Sequence, residues 1–146
     1  ILEGITEIRP GTYPFMDASQ ANATNHQWKC AATVLATVMS RPTPERVILD
    51  VGAKGLTMQS RSEGICAVEG LGNIVEYPGT HIHQMYDEHA IVYSKPFRDG
   101  SRIGDKVRIE PVHICPVVNL YDEMYLVGPD GQVEQTLPIL CRGKLK

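Results

Sequence analysis

The run GDKVRIEPVHICPVVNLYDEMYLV, residues 104–127, decides how this chain is read. KVRIEPVHICPVV (106–118) predicts a strand, DEMYLV (122–127) a second and QVEQTLPIL (132–140) a third. The turn GPDG (128–131) joins the last two as a hairpin. Outward from this run, helix signals are scarce. No stretch of ten or more residues places apolar positions at helical spacing.

Strand signals recur instead. TEIRPGTYPFMD (6–17) is extended and interrupted by proline, so it predicts an edge. ASQANATNHQW (18–28) predicts a polar loop with at most one helical turn. CAATVLATVMS (30–40), rich in β-branched residues, and ERVILDVG (45–52) are strands on either side of the turn PTP (42–44). GICAVEG (64–70), NIVEYPG (73–79) and DEHAIVYS (87–94) continue the series, and RDG (98–100) and IGD (103–105) flank a short connection. Nine or ten short strands at close spacing predict an all-β barrel or sandwich with little helix, a single domain over 1–146.

Bulk composition narrows function. The chain has 146 residues, 42% apolar and 21% charged, with a net charge of −3. That balance suits one soluble globular domain. No cluster of Lys and Arg is present, which argues against nucleic acid and anionic membranes as partners. No apolar run is long enough to span a bilayer. Four cysteines at low density, with no secretory pattern, predict free thiols and a cytoplasmic protein. The chain opens ILEGITEIRPG with no initiator Met, close to a candidate strand, which suggests a piece of a longer protein.

His113 and Cys115 stand two apart in the 106–118 run. In a strand, residues i and i+2 share a face, with Cα atoms ~6.6 Å apart. Imidazole and thiolate are ligands that zinc favours, at about 2.0–2.1 Å and 2.3 Å. Two protein ligands leave open positions, as a catalytic metal needs. The same spacing also fits a histidine and a cysteine that merely fill the core.

A second histidine pair lies in GTHIHQMYDEHA (79–90), where His81 and His83 precede Glu88 and His89. His-x-His, a gap of four and Glu resembles the first metal motif of cupins, with His113 as a further ligand. Val75, Lys95 and Pro111 depart from the glycine pattern of that family. Otherwise His81 and His83 belong to a solvated loop beside Pro78-Gly79.

A wider series is more specific: TEIRPGTYPFMD (6–17), CAATVLATVMSRP (30–42), ERVILDVGAKGLT (45–57), DEHA (87–90), the run 104–127 and CRGK (141–144). Together, in this order, they resemble the C-terminal β domain of the D-threonine aldolase and D-serine dehydratase family. The telling piece is Pro111, two residues on to His113-x-Cys115, and then Val118-Asn119-Leu120. The resemblance covers nearly the whole chain. It implies an alanine-racemase-like enzyme whose N-terminal (β/α)8 barrel carries pyridoxal phosphate on a lysine. The β domain closes over the barrel mouth and supplies a divalent metal site. By this resemblance His113 and Cys115 are the metal pair, zinc is the ion, and the assembly is a homodimer. Cys115 tilts the expectation toward dehydratase-like members, since aldolase-like members tend to carry Asp there.

The resemblance also implies neighbours for the site. Glu88-His89 matches a Glu-His pair, although Ala90 stands where glycine usually follows, and His89 is either close to substrate or a turn residue. Tyr13, in RPGTY, either lines the site or belongs to a surface strand. Lys54 reads as a solvated loop lysine and not as the cofactor lysine, which the resemblance assigns to the barrel. The implied substrate is a D-amino acid with a β-hydroxyl. The outcome is either elimination to a keto acid and ammonia or retro-aldol cleavage to glycine and an aldehyde. By itself the chain is expected to be inactive.

Overall fold

The computed structural model describes residues 3–144. Ile1 and Leu2, with which the chain opens, lie outside these. Among the described residues are eight short strands and four short helices. Six strands form one antiparallel sheet in the order β3-β6-β1-β2-β5-β4: Asn73–Ile74, Lys106–Glu110, Val34–Ser40, Arg46–Leu49, Ala90–Tyr93 and Gln84–Met85. The sheet curls into a half-barrel, so the all-β expectation holds.

Alternation along the strands builds the core. β1 buries Val34, Ala36 and Val38 and exposes Leu35 and Met39. β2 buries Val47 and Leu49, β5 Ala90 and Val92, and β6 Val107 and Ile109. Register pairs these inward residues with one another: Ala36 faces Val107, Val47 faces Val92 and Leu49 faces Ala90. A one-residue slip would turn each set outward, so burial itself specifies the register. β1 pairs with β6 through residues 34–37 and with β2 from Val38 onward, and its ladder is irregular between Val38 and Ser40. Such irregularities bend a strand and tighten its twist.

The curl brings the two ends of the sheet together at residues 81–83. Leu71 N donates to Ile82 O (2.9 Å), Ile82 N to Gly72 O (2.8 Å), and His83 N to Ile91 O (2.9 Å). One short segment thus bonds toward β3 on one side and β5 on the other. Phe97, from the helix α3 (Lys95–Gly100), is fully buried and packs its ring 4.7 Å from that of Tyr77.

Several expected strands are shorter than predicted or absent. Residues 6–17 form turns and irregular chain, and residues 64–70 contribute one bridge, Arg61 to Val68. The stretch 18–28 opens with a helix, α1 (Ala18–Ala23), and 73–79 keeps only the two residues of β3. The decisive run 106–118 splits. β6 ends at Glu110, because Pro111 has no N–H for the ladder. A helix, α4 (Ile114–Val118), then follows. Pro116 sits within the first turn of α4, where its missing N–H removes no intrahelical bond. The hairpin is as expected, with β7 (Glu123–Val127) paired to β8 (Val133–Pro138). It is a separate two-stranded sheet that exposes Tyr125, Leu126, Val127 and Val133. No helix of the described residues is long and apolar enough to cross a membrane.

Candidate functional site

His113 and Cys115 do not share the face of a strand; here the expectation is corrected. His113 is the last extended residue, at φ −140° and ψ 117°, and caps α4, while Cys115 lies in the first turn of that helix. What frames both is an N-terminal turn. Phe15 N and Met16 N donate to Thr12 O, at 3.2 and 2.9 Å, and Met16 takes a φ of +58°. Positive φ is uncommon for a side chain such as methionine, and here it redirects the chain into α1. Asp17 is the N-cap of α1, its Oδ1 accepting from Gln20 N at 2.8 Å.

This turn is fastened to the candidate site along its length. Ala18 N donates to Pro111 O (3.1 Å) and Ser19 N to Val112 O (3.4 Å). Asp17 Oδ2 lies 2.8 Å from His113 Nδ1 and accepts from Ile114 N at 3.1 Å. Thr12 Oγ1 lies 3.5 Å from Cys115 Sγ. One turn, residues 12–17, therefore touches both members of the pair. Asp17 was not anticipated. Its signal was present as Asp17 with Gln20 three residues on, the spacing of a capping box ahead of a helix.

The donor set suits a metal ion. The His113 side chain is partly open, at 18% exposure, and its Nε2 makes no hydrogen bond to a described residue. Cys115 is an exposed free thiol. Imidazole and thiol are donor types that zinc favours. Cys30, also free, is different: burial first, then the nearby carboxylates of Glu110 and Asp17, push its thiol up to about 12. It stays protonated at neutral pH and is a poor ligand.

The cupin-like set is not assembled. Among the described residues no group of three or more His, Cys, Asp or Glu side chains stands where it could hold a metal ion. His81, His83 and Glu88 are engaged elsewhere. The rings of His81 and His83 stack with centroids 4.3 Å apart, and His83 Nδ1 accepts from Tyr93 N at 3.2 Å. Glu88 pairs with Lys54. The fold thus does not bring His81, His83, Glu88 and His113 together as one ligand set among the described residues.

Glu88 and His89 occupy an exposed turn held by the helix α2 (Ala53–Leu56). Ala53 N donates to Tyr86 O (2.8 Å) and Lys54 N to Asp87 O (3.2 Å). A Cβ on Gly52 would stand 2.2 Å from Tyr86 O, so only glycine allows this approach. The turn lines an open cavity of about 590 Å³ with Ala53, Met58 and Met85. Tyr121, just after α4, donates its hydroxyl to Gly55 O at 3.0 Å and so ties α2 to the His113 segment. Hydrogen bonding and the charge of Lys54 hold the Glu88 carboxyl below its ordinary range. Tyr13 is exposed, in the turn that frames the pair. Lys54 is exposed and paired with Glu88.

Known proteins are similar to this chain. The family model described as "Putative serine dehydratase domain" matches residues 31–127, which include β6, His113 and Cys115. A D-threonine aldolase from Arthrobacter sp. is 35% identical over 144 residues, covering 94% of this chain and 35% of that protein. A 3-hydroxy-D-aspartate aldolase from Paracoccus denitrificans is 32% identical over 147 residues, covering 94% and 35%. The crystal structure of D-threonine aldolase from Filomicrobium marinum superposes with a TM-score of 0.76 at 26% identity, covering 94% of this chain and 36% of that one. The chain thus spans about a third of the length of these two aldolases. With two thirds of its residues inside the family match and the fold shared along nearly its full length, this chain belongs to the D-serine dehydratase and D-threonine aldolase family.

Proposed function

We propose that this chain is the metal-bearing β domain of a pyridoxal-phosphate-dependent lyase acting on β-hydroxy D-amino acids. The single observation that carries the reading is the framing of His113 and Cys115 by residues 12–17, within a segment shared with aldolases of D-threonine and 3-hydroxy-D-aspartate. His113 and Cys115 hold a divalent ion, with zinc the choice their softness favours. When bound, the ion supplies a Lewis acid for a substrate oxygen, and pyridoxal phosphate supplies an electron sink for the bonds at Cα. A D-amino acid without a β-hydroxyl offers the ion no ligand, so the metal pair also selects substrate.

The chain's own residues supply position and charge. Thr12 and Asp17 hold the pair against the 12–17 turn. Glu88, paired with Lys54, serves by charge rather than as an acid. His89 is exposed beside it, free to meet a substrate or an adjoining domain. Cys115 favours a dehydratase-like elimination over aldol cleavage within the reading.

The cofactor lysine and phosphate site belong to an N-terminal (β/α)8 barrel outside this chain, in a homodimeric cytoplasmic enzyme. The β7–β8 hairpin supports an adjoining surface: a lone two-stranded sheet is marginal in water, and this one exposes apolar residues. The test is an assay of the chain with zinc, pyridoxal phosphate and D-serine or D-threonine, alongside zinc titration. Specific zinc binding without turnover is expected. Product from this chain by itself would refute the domain reading, and absence of specific zinc binding would refute the metal reading.

A further inference from the structure

We propose that Asp17 is the positioning residue that sets the tautomer of His113, so that Nε2 presents its lone pair to the metal ion. The inference rests on the metal reading above and adds to it a residue 96 positions away in sequence. Asp17 is fully buried, and its oxygens are engaged in three directions: Oδ1 with Gln20 N, and Oδ2 with both Ile114 N and His113 Nδ1. Gln20 N and Ile114 N can only donate. An ionised carboxylate receiving two such bonds has only acceptor character to offer the ring, so His113 Nδ1 carries the proton, and in the neutral ring Nε2 carries the lone pair. That is the arrangement in which a carboxylate fixes ring orientation and raises the basicity of a metal-binding histidine.

Capping α1 does not by itself require this arrangement. Serine and asparagine cap a helix about as well as aspartate does. A fully buried carboxylate is expensive unless its bonds are complete, and here the second oxygen is spent on the His113 turn. The backbone is arranged to the same end. Met16 takes its positive φ immediately before Asp17, and Ala18 N and Ser19 N clamp onto Pro111 O and Val112 O immediately before His113. Four main-chain N–H groups, of Ala18, Ser19, Gln20 and Ile114, fix where the carboxylate stands relative to the ring.

The experiment uses the full chain, ¹⁵N-labelled and metal-free, and zinc alone as the probe. The ring-nitrogen spectrum of His113 is expected to show the Nδ1–H form. Asp17→Asn keeps the shape but can present an amide N–H to Nδ1, drawing the ring toward the Nε2–H form. Zinc affinity should then fall about 10–100-fold, the usual worth of an outer-shell partner. Circular dichroism and a thermal melt establish that the variant is folded. If it does not fold, the wild-type spectrum decides: Nδ1–H supports the proposal and Nε2–H overturns it. Zinc binding lost in His113→Ala and Cys115→Ser but intact in a folded Asp17→Asn overturns this inference alone. Zinc binding unchanged in His113→Ala and Cys115→Ser overturns the metal reading and this inference with it.

Discussion

Two pairs of side chains in this molecule share one spacing, and the fold uses them in opposite ways. His113-x-Cys115 and His81-x-His83 both place potential metal ligands two residues apart. At the first pair, a carboxylate occupies Nδ1 of His113, and Nε2 makes no hydrogen bond to a described residue. At the second, a main-chain N–H from Tyr93 occupies Nδ1 of His83, so the ring proton must stand on Nε2 and no lone pair remains. His83 thereby acts as a replacement acceptor in a sheet ladder, and His81 stacks on it at 4.3 Å. Spacing proposes a ligand, whereas the partner of the second ring nitrogen decides whether it can be one.

The contrast can be broken most directly by mutation. His113→Ala and Cys115→Ser should each lower zinc affinity by more than about 100-fold, beyond what an outer-shell partner is worth. His81→Ala and His83→Ala should leave it unchanged. Isothermal titration of the four variants checks both halves, and zinc binding that follows the 81–83 pair would reverse the comparison.

A comparable contrast divides the cysteines. With its thiol pushed from 9.0 to about 12, Cys30 carries roughly 1000-fold less thiolate than an ordinary thiol at the same pH. Cys115 is exposed. Alkylation at pH 8 followed by peptide mass mapping should modify Cys115 early and Cys30 last. Added zinc should protect Cys115 and leave the rate at Cys30 unchanged.

The structural pair has its own point of failure, at Gly70. This residue takes a φ of +73°, and a Cβ there would stand 2.4 Å from His81 Cδ2 and 2.5 Å from Ile82 O. Gly70→Ala should destabilise the fold by about 1–3 kcal/mol through backbone strain and displacement of the 81–83 segment. Urea unfolding measures the loss, and zinc affinity of the folded variant should be near wild type.

These residues also mark where the sequence was legible. The all-β class, the central strands and the β7–β8 hairpin follow from β-branched runs and turn residues, because a half-buried strand writes its pattern locally. His113 and Cys115 stood out because their side chains name their chemistry. Their setting was misread: PVHICPVV has the composition of a strand, and the stop at Pro111 and the first-turn place of Pro116 are positional signals that composition overrides. Asp17 was missed for another reason. Its partner lies 96 residues away, and one sequence carries no sign of which distant groups a buried carboxylate will meet. The cupin resemblance failed likewise, since ligand spacing says nothing of the Tyr93 N–H that claims His83.

The smallest expected effect is the pH response of the 81–83 segment. Burial first, then the neighbouring His81, lowers the pKa of His83 from its ordinary 6.5. The groups around it are few: the His81 ring, Glu69 Oε1 3.8 Å from His81 Nε2, and the Tyr93 ring edge-on with its centroid at 5.4 Å. Above pH 6.5 the ring is neutral in both the folded and unfolded chain, and its contribution is complete. As pH falls below 6.5 the unfolded chain binds the proton first, so stability declines until His83 titrates in the fold as well. The physical event is the loss of an acceptor: a proton on Nδ1 sets two N–H groups against each other at Tyr93. Urea midpoints between pH 7 and 5 should therefore fall more in wild type than in His83→Gln. That interval lies above the carboxylates whose pKa values are lowered, Glu76, Glu88 and Asp99, so their acid titration does not mask it. Equal slopes for the two proteins would mean that the Tyr93 bond does not constrain the ring. The distinction drawn between the two pairs would then rest on Asp17 alone.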